Sequence, residues 1–332
     1  MILVTGGLGF LGRRLVRQLL ASGEEDIRLL VRPGTCHTRL EEAQLDANRI
    51  ELFPASFQQA EALNVALKDV DVVYHLAASR VGTHAVQVAN TLIGTENLFS
   101  SALHAQVRRI VLVSSFSVMG VQNIKIIDES VPLEPKPQWR EPYAFAKLRQ
   151  EELARKYIRE HQLPIVIVRP GVIYGPGVPL LTSRIGIWLG RTFFHLGGRN
   201  VVPLTHVENC AEACMRAGQV EGIEGETFHI CDDQLPTARQ ILRQYQKRVE
   251  RLRCIKIPYW LLQIIGQLNE LYSNKTQGHL PLVFRPYMVD SMWKSRAYRN
   301  CKAKQKLGWT PRVSIEAGIR ETLEFIASSR HS

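Results

Sequence analysis

Tyr143-Ala144-Phe145-Ala146-Lys147 sets a phenol and an ammonium four residues apart at the start of a stretch that reads as a helix. Four residues turn an α-helix by roughly 400°, so both side chains share one face. An isolated phenol has a pKa of about 10, too high to exchange protons efficiently near neutrality. A neighbouring cation favours the phenolate and brings it toward the range of a general acid or base. Ser115, in Val111-Leu112-Val113-Ser114-Ser115, offers a hydroxyl that would hold a substrate carbonyl beside that tyrosine, with Ser114 as the competing assignment.

A second segment, Thr5-Gly6-Gly7-Leu8-Gly9-Phe10-Leu11-Gly12, follows the apolar run Ile2–Thr5 and opens a helical pattern carrying Leu11, Leu15, Leu19 and Leu20. Glycines there permit a tight turn and close backbone approach to a pyrophosphate, while the helix N-terminus supplies N–H groups and partial positive charge. The second strand ends Leu30-Val31-Arg32-Pro33. It has no carboxylate for ribose hydroxyls, and Arg32 is placed to meet a 2′-phosphate, which favours NADP(H) and keeps NAD(H) as the alternative. Arg13 and Arg14 are competing phosphate contacts.

These residues need a scaffold, and the first half of the chain supplies an alternation of strands and helices. Ile2–Thr5, Ile27–Arg32, Ile50–Pro54, Val70–His75, Arg109–Ser114 and Ile165–Arg169 are almost continuously apolar, as strands covered on both faces must be. Leu11–Ala21, Gln58–Leu67, Val86–His104 and Tyr143–His161 read as the intervening helices. The fold class is therefore α/β, a doubly wound parallel sheet of the Rossmann type. Gly171, Gly175, Pro176, Gly177 and Pro179 mark a change of course after Pro170. Residues 1–170 are expected to form the dinucleotide-binding core, with about 201–232 returning to it, and residues 171–332 a smaller, mostly helical substrate lobe. Thr227–Ile230 reads as an extra strand.

The 332 residues, 45% of them hydrophobic, can bury one large core or two modest ones. No apolar run reaches the roughly 18 residues of a membrane span, and the expected location is the cytoplasm. Six cysteines show no metal-ligand spacing, so reduced thiols and no metal are expected. Residues 1–235 hold 24 basic and 25 acidic side chains, residues 236–332 hold 18 and 6. That basic C-terminal part would suit an anionic substrate or peripheral contact with a membrane surface; no nucleic-acid motif accompanies it. Leu261, Ile264, Ile265, Leu268 and Tyr272 make Pro258–Tyr272 an amphipathic helix, read as packing on the lobe ahead of a lid or membrane-surface role. Trp188, Phe193, Phe194 and Trp260 hint at an apolar pocket, and the Gly171–Leu204 and Pro258–Tyr287 regions are expected to set specificity.

The order and spacing of these pieces closely resemble the extended short-chain dehydrogenase/reductase family over most of the chain. Thr5–Gly12 is similar to its phosphate turn, so Gly6, Gly9, Phe10, Leu11 and Gly12 are implied cofactor contacts, together with Leu76, Ala77 and Ala78 in His75-Leu76-Ala77-Ala78. Ser115, Tyr143 and Lys147 match the catalytic serine, tyrosine and lysine, with Lys147 also bonding the nicotinamide ribose, and Asn90 resembles the family position that orders the active site. Arg169-Pro170-Gly171-Val172-Ile173-Tyr174-Gly175-Pro176-Gly177 matches the segment whose backbone at Pro170, Gly171 and Val172 meets the nicotinamide amide. His206-Val207-Glu208-Asn209 and Leu307-Gly308-Trp309-Thr310-Pro311 resemble two later landmarks. Two departures stand out: Ser56 replaces a common adenine-binding Asp, and Gly171 replaces the Asn of nucleotide-sugar enzymes. The second resembles the 3β-hydroxysteroid dehydrogenase and dihydroflavonol reductase branch, which implies hydride transfer to a hydrophobic ketone, with Val86–His104 and Tyr143–His161 pairing in a homodimer. A nucleotide-sugar epimerase or dehydratase, and a cofactor-binding scaffold without chemistry, are the alternatives.

Overall fold

The computed structural model describes residues 1–78, 83–275 and 285–330. Its elements begin β1 Ile2–Thr5, α1 Phe10–Ala21, β2 Ile27–Val31, α2 Thr38–Glu42, β3 Ile50–Pro54, α3 Ala60–Ala66, β4 Val72–His75, α4 His84–His104 and β5 Arg109–Val113. They continue with β6 Ile126–Ile127, α5 Pro142–His161, β7 Ile165–Pro170, β8 Val172–Tyr174, β9 Gly186–Leu189, β10 Thr192–Gly197 and β11 Leu204–His206. The remainder are α6 Val207–Gln219, β12 Thr227–Ile230, α7 Ala238–Arg248, β13 Cys254–Pro258, α8 Tyr259–Lys275, α9 Pro286–Trp293, β14 Ala297–Tyr298, α10 Cys301–Leu307 and α11 Ile315–Ser328.

Seven parallel strands form one sheet in the order β12-β7-β5-β4-β1-β2-β3. The apolar runs behave as expected: β1, β4, β5, β7 and β12 are buried along their whole length. Leu15, Val16 and Leu19 of α1 pack with Val207, Cys210 and Cys214 of α6 on one face. Leu63 of α3, Leu98, Phe99 and Ala102 of α4 and Ala154 of α5 cover the other. Each buried Leu, Val or Phe among them contributes about 1.5–3 kcal/mol by leaving water. The order reverses between β1 and β4, and at that crevice β1 runs into the glycine turn.

After Pro170 the chain makes β8 and the lobe strands β9 and β10, returns to the core through β11, α6 and β12, and then completes the lobe. The two late landmarks meet here. Asn209 Nδ2 donates to Asp232 Oδ1 (2.8 Å) and Val313 O (2.8 Å), and Asn209 Oδ1 accepts from the N–H groups of Arg312 and Val313. The buried indole of Trp309 donates to Asn209 O at 2.9 Å.

The lobe also carries a three-stranded sheet, β13-β10-β9, in a stretch where the sequence showed no regular pattern. Helix α8 follows β13 and packs through Leu262, against Leu196, Val289 and Trp293. That corrects the expected face: Ile264, Leu268 and Tyr272 are exposed, with Trp260 (63%) and Leu271 beside them. The helix is apolar on more than one side, so periodicity alone could not choose which side packs.

Candidate active site

Tyr143 stands in the first turn of α5, which Pro142 opens as a preset first residue. Its side chain is 42% exposed, whereas Lys147, one turn on, is 3% exposed. Lys147 Nζ donates to Val113 O (2.8 Å) at the end of β5 and to Gln150 Oε1 (2.9 Å). The strand therefore fixes the ammonium beneath the phenol's turn of helix.

The next turn carries Glu151, fully buried. Ser114 Oγ donates to it at 2.7 Å, and Arg169 and Arg155 both bind it. Burial works against its charge, but the hydrogen bond and charge of Arg169, with Ser114 and Arg155, hold the carboxyl below its ordinary range. This network consumes the Ser114 hydroxyl. Ser115 is differently placed: it caps the short turn Phe116–Val118, its Oγ accepting from Ser117 N (3.2 Å) and Ser117 Oγ (3.0 Å). Its own proton is left to donate.

Asn90 is not brought to this cluster. Its Oδ1 accepts from Gln58 Nε2 at 2.8 Å, on the α3 side of α4. Thr95, five residues on, is the α4 side chain that reaches inward, bonded to Gln150 Nε2 (2.8 Å) and lying 3.1 Å from His75 Nε2. His75 Nδ1 in turn lies 2.8 Å from Thr5 Oγ1. Burial first, and the charge of Lys147 second, push the His75 pKa down to about 3, so the ring is neutral.

Thr5 is the residue before the glycine turn. Gly6 has φ +73, and a Cβ added to Gly12 would lie 2.1 Å from Gly6 O. Both positions therefore require glycine. The first N–H groups of α1, from Phe10 through Gly12, have no intrahelical acceptor, and Ala77 lies against Gly6, its N–H donating to Thr5 Oγ1. Leu76 and Ala77 thus flank a cradle whose chemistry fits a pyrophosphate, and Ala78 follows them in the chain. Gly175 and Gly177 close onto Phe10, and Gly177 onto Arg13, which brings the segment after β7 to the same turn. The N–H groups of Gly171 and Val172 are already donated to Ile230 O and Pro203 O, so Pro170–Val172 can offer an amide its carbonyls rather than these donors. Arg14 Nε pairs with Glu208 (3.0 Å), and Arg32 is exposed at the end of β2.

Next to the stretches that follow Ser115 and Tyr143 lies a small open pocket, with Phe116, Met119, Val121, Ala144, Met288 and Met292 as its apolar wall and Ser117, Glu141 and Ser291 as polar lining. Trp188, Phe193, Phe194 and Trp260 take no part: Trp188 and Trp260 are exposed and Phe193 lies in the lobe core. Of the Pro258–Tyr287 span, residues 276–284 lie outside the described residues; the observed lining comes from later positions, 288–298. Three guanidiniums border the cavity. Arg140 is held by Glu134 (2.7 Å), and Arg296 by Asp290 (2.7 Å) and by carbonyls. Arg184 makes no ion pair among the described residues, and its charge acts on Arg140.

The NAD dependent epimerase/dehydratase family matches residues 2–231. A 3beta-hydroxysteroid-dehydrogenase/decarboxylase (isoform 2) of Arabidopsis thaliana is 28% identical over 97% of this chain, which spans 61% of that relative's length. Sterol-4-alpha-carboxylate 3-dehydrogenase, decarboxylating, of Bos taurus is 28% identical, over 96% of this chain and 90% of its own. Among solved structures, gox2253 superposes with a TM-score of 0.81 at 24% identity, covering 100% of this chain and 98% of its own. A dTDP-glucose 4,6-dehydratase from Streptomyces venezuelae, with NAD bound, superposes at 0.74 and 25% identity with the same coverage. The glycine cradle, the sheet order and the match over residues 2–231 agree: this chain belongs to the NAD dependent epimerase/dehydratase family, the extended short-chain dehydrogenases/reductases.

Proposed function

We propose that this enzyme transfers hydride reversibly between NADP(H) and a secondary alcohol, or its ketone, on a hydrophobic sterol-like body that bears a carboxylate. The observation that carries the reading is the exposed Tyr143 above buried Lys147, adjoining Ala144 in a pocket with an apolar wall whose one cation without an ion pair among the described residues is Arg184. In the oxidative direction Tyr143 Oη takes the proton of the substrate hydroxyl, and the Lys147 ammonium favours the phenolate before that transfer. Ser115 turns its free proton toward the substrate oxygen. The dinucleotide, held by Gly6, Gly9, Phe10, Leu11 and Gly12, supplies the hydride acceptor when bound. Arg184 meets the substrate carboxylate, the group named in the bovine relative.

NADP(H) preference rests on Arg32, exposed at the strand end that lacks a carboxylate, with Arg13 above Phe10 as a second candidate phosphate contact. A sugar nucleotide is disfavoured at Gly171, where a Cβ would lie 2.1 Å from Pro203 O, so an Asn does not fit without moving that backbone. The outward faces of α4 and α5 are the proposed homodimer surface, supported by exposed Val86 and Ile93. The exposed apolar side of α8, together with Ile187, Trp188 and Leu189 and the basic C-terminal part, supports peripheral contact with an anionic membrane surface. A cytoplasmic setting agrees with six free thiols.

The test is absorbance at 340 nm with NADP⁺ or NAD⁺ and a 3β-hydroxysterol 4α-carboxylic acid. Reduction of NADP⁺ by the wild type and a loss of about 10²-fold or more in Tyr143→Phe are expected. Full turnover in that variant, or conversion of a UDP-sugar without net cofactor reduction, refutes the reading.

A further inference from the structure

The buried ammonium of Lys147 rests on a side chain that the reaction itself does not call for. Gln150 is 1% exposed and sits three residues beyond Lys147, with its Oε1 2.9 Å from Nζ. Its amide nitrogen faces Thr95 Oγ1 (2.8 Å) and His75 Nε2 (3.1 Å).

Lys147 has only donors, so the Gln150 atom facing it must be the carbonyl oxygen. The amide nitrogen then donates to Thr95, which presents a lone pair because its own proton goes to Thr91 O at 2.7 Å. Neutral His75 completes the cluster through either tautomer, donating from Nδ1 to Thr5 Oγ1 or from Nε2 to Thr95 Oγ1.

Among the described residues, Glu151 of α5 is bound by Arg169 from β7, by Arg155 and by Ser114 from the end of β5. β4 brings the neutral His75, α4 brings Thr91 and Thr95, and β5 the carbonyl of Val113. The acceptor supplied by position 150 is thus uncharged: it fixes the direction of the ammonium without neutralising it.

We propose that Gln150 is a positioning residue that aims the Lys147 ammonium at Tyr143 and, being neutral, leaves its full charge to act on the phenol. The inference rests on reading Tyr143 and Lys147 as the catalytic pair. Thr95 holds the amide in the orientation that Lys147 requires. A carboxylate at position 150 would bind Lys147 more tightly but spend its charge there.

The test reads the phenol directly. Tyrosinate absorbance at 295 nm is titrated in wild type and Tyr143→Phe, and their difference isolates Tyr143; the same pair is made in Gln150→Met and Gln150→Glu backgrounds. The Tyr143 transition is expected at higher pH in Gln150→Met, by about one unit, and higher still in Gln150→Glu, where the new carboxylate competes with the phenolate. Far-ultraviolet circular dichroism and thermal melts show that each protein is folded; if Gln150→Met is not, the Gln150→Glu titration alone decides. A Tyr143 transition that stays put, or moves to lower pH, in the folded variants overturns the role of Gln150 while leaving the catalytic pair intact. A wild type in which Tyr143 titrates like an ordinary exposed tyrosine overturns the pair and this inference with it.

Discussion

Acidification from pH 7 to pH 5 should cost the protein about 2 kcal/mol through His75 alone. The ring is fully enclosed, and burial together with Lys147 takes its pKa from 6.5 to about 3. A histidine whose folded value lies below its unfolded value contributes stability that is complete above pH 6.5 and is lost as the pH falls toward 3, because only the unfolded chain takes up the proton. Over that window the slope approaches about 1.4 kcal/mol per pH unit for one proton. Against a domain stability of roughly 5–15 kcal/mol this is a measurable share. Burial also lowers His229, next to Arg169, and His195 and His206, so four rings act with the same sign. The perturbation that isolates His75 is His75→Gln, compared with wild type by urea unfolding at pH 7, 6 and 5. The variant loses hydrogen bonds to Thr5 and Gln150 and should be less stable at pH 7 by about 1–3 kcal/mol. Its deficit should shrink by about 2 kcal/mol at pH 5, since it has one fewer proton to take up on unfolding. Parallel stability curves for the two proteins would refute the reasoning, because they would mean that His75 takes up no proton on unfolding.

Gly12→Ala should abolish detectable NADPH binding by fluorescence titration, because its Cβ would sit 2.1 Å from Gly6 O and the cradle must open to admit it; retained affinity would show that the turn does not hold the pyrophosphate. Arg32→Asp should weaken NADPH by about 10- to 100-fold and strengthen NADH, as expected for exchanging a phosphate contact for a ribose acceptor; equal effects on both cofactors would remove Arg32 from the choice. Trp260→Ser combined with Leu268→Ser should lower sedimentation with vesicles of anionic phospholipid at least tenfold while leaving cofactor affinity unchanged, and no loss would show that α8 does not meet the bilayer.

Local features were the legible ones. The glycine turn could be read because its four glycines answer to one short stretch of backbone, and the strands because burial on two faces demands unbroken apolar runs. Tyr143 and Lys147 were legible as a pair because helix geometry alone puts them on one face. Ser115 over Ser114 was not decidable from adjacent serines; the choice depends on Glu151, a residue 37 positions from Ser114 that takes up its hydroxyl. Gln150 left no mark in the sequence at all. A glutamine in a helix is ordinary, and its meaning arises only when β4 and α4 deliver His75 and Thr95 from 75 and 55 residues away.

Gly171 shows how a readable departure and an unreadable cause can concern the same atom. In the sequence it is an absence, a position where nucleotide-sugar enzymes carry a polar side chain. In the structure it is a contact: Gly171 N donates to Ile230 O, Val172 N donates to Pro203 O, and Pro203 O occupies the volume that a Cβ would need. The same tight joint between β8 and the strand that leads into α6 therefore excludes a sugar-reading side chain and uses the two N–H groups nearest the expected nicotinamide amide. On the proposed reading, substrate discrimination falls to the apolar wall and Arg184, residues whose spacing in the chain carries no signature because two stretches of the core and two of the lobe must fold together before they face one another.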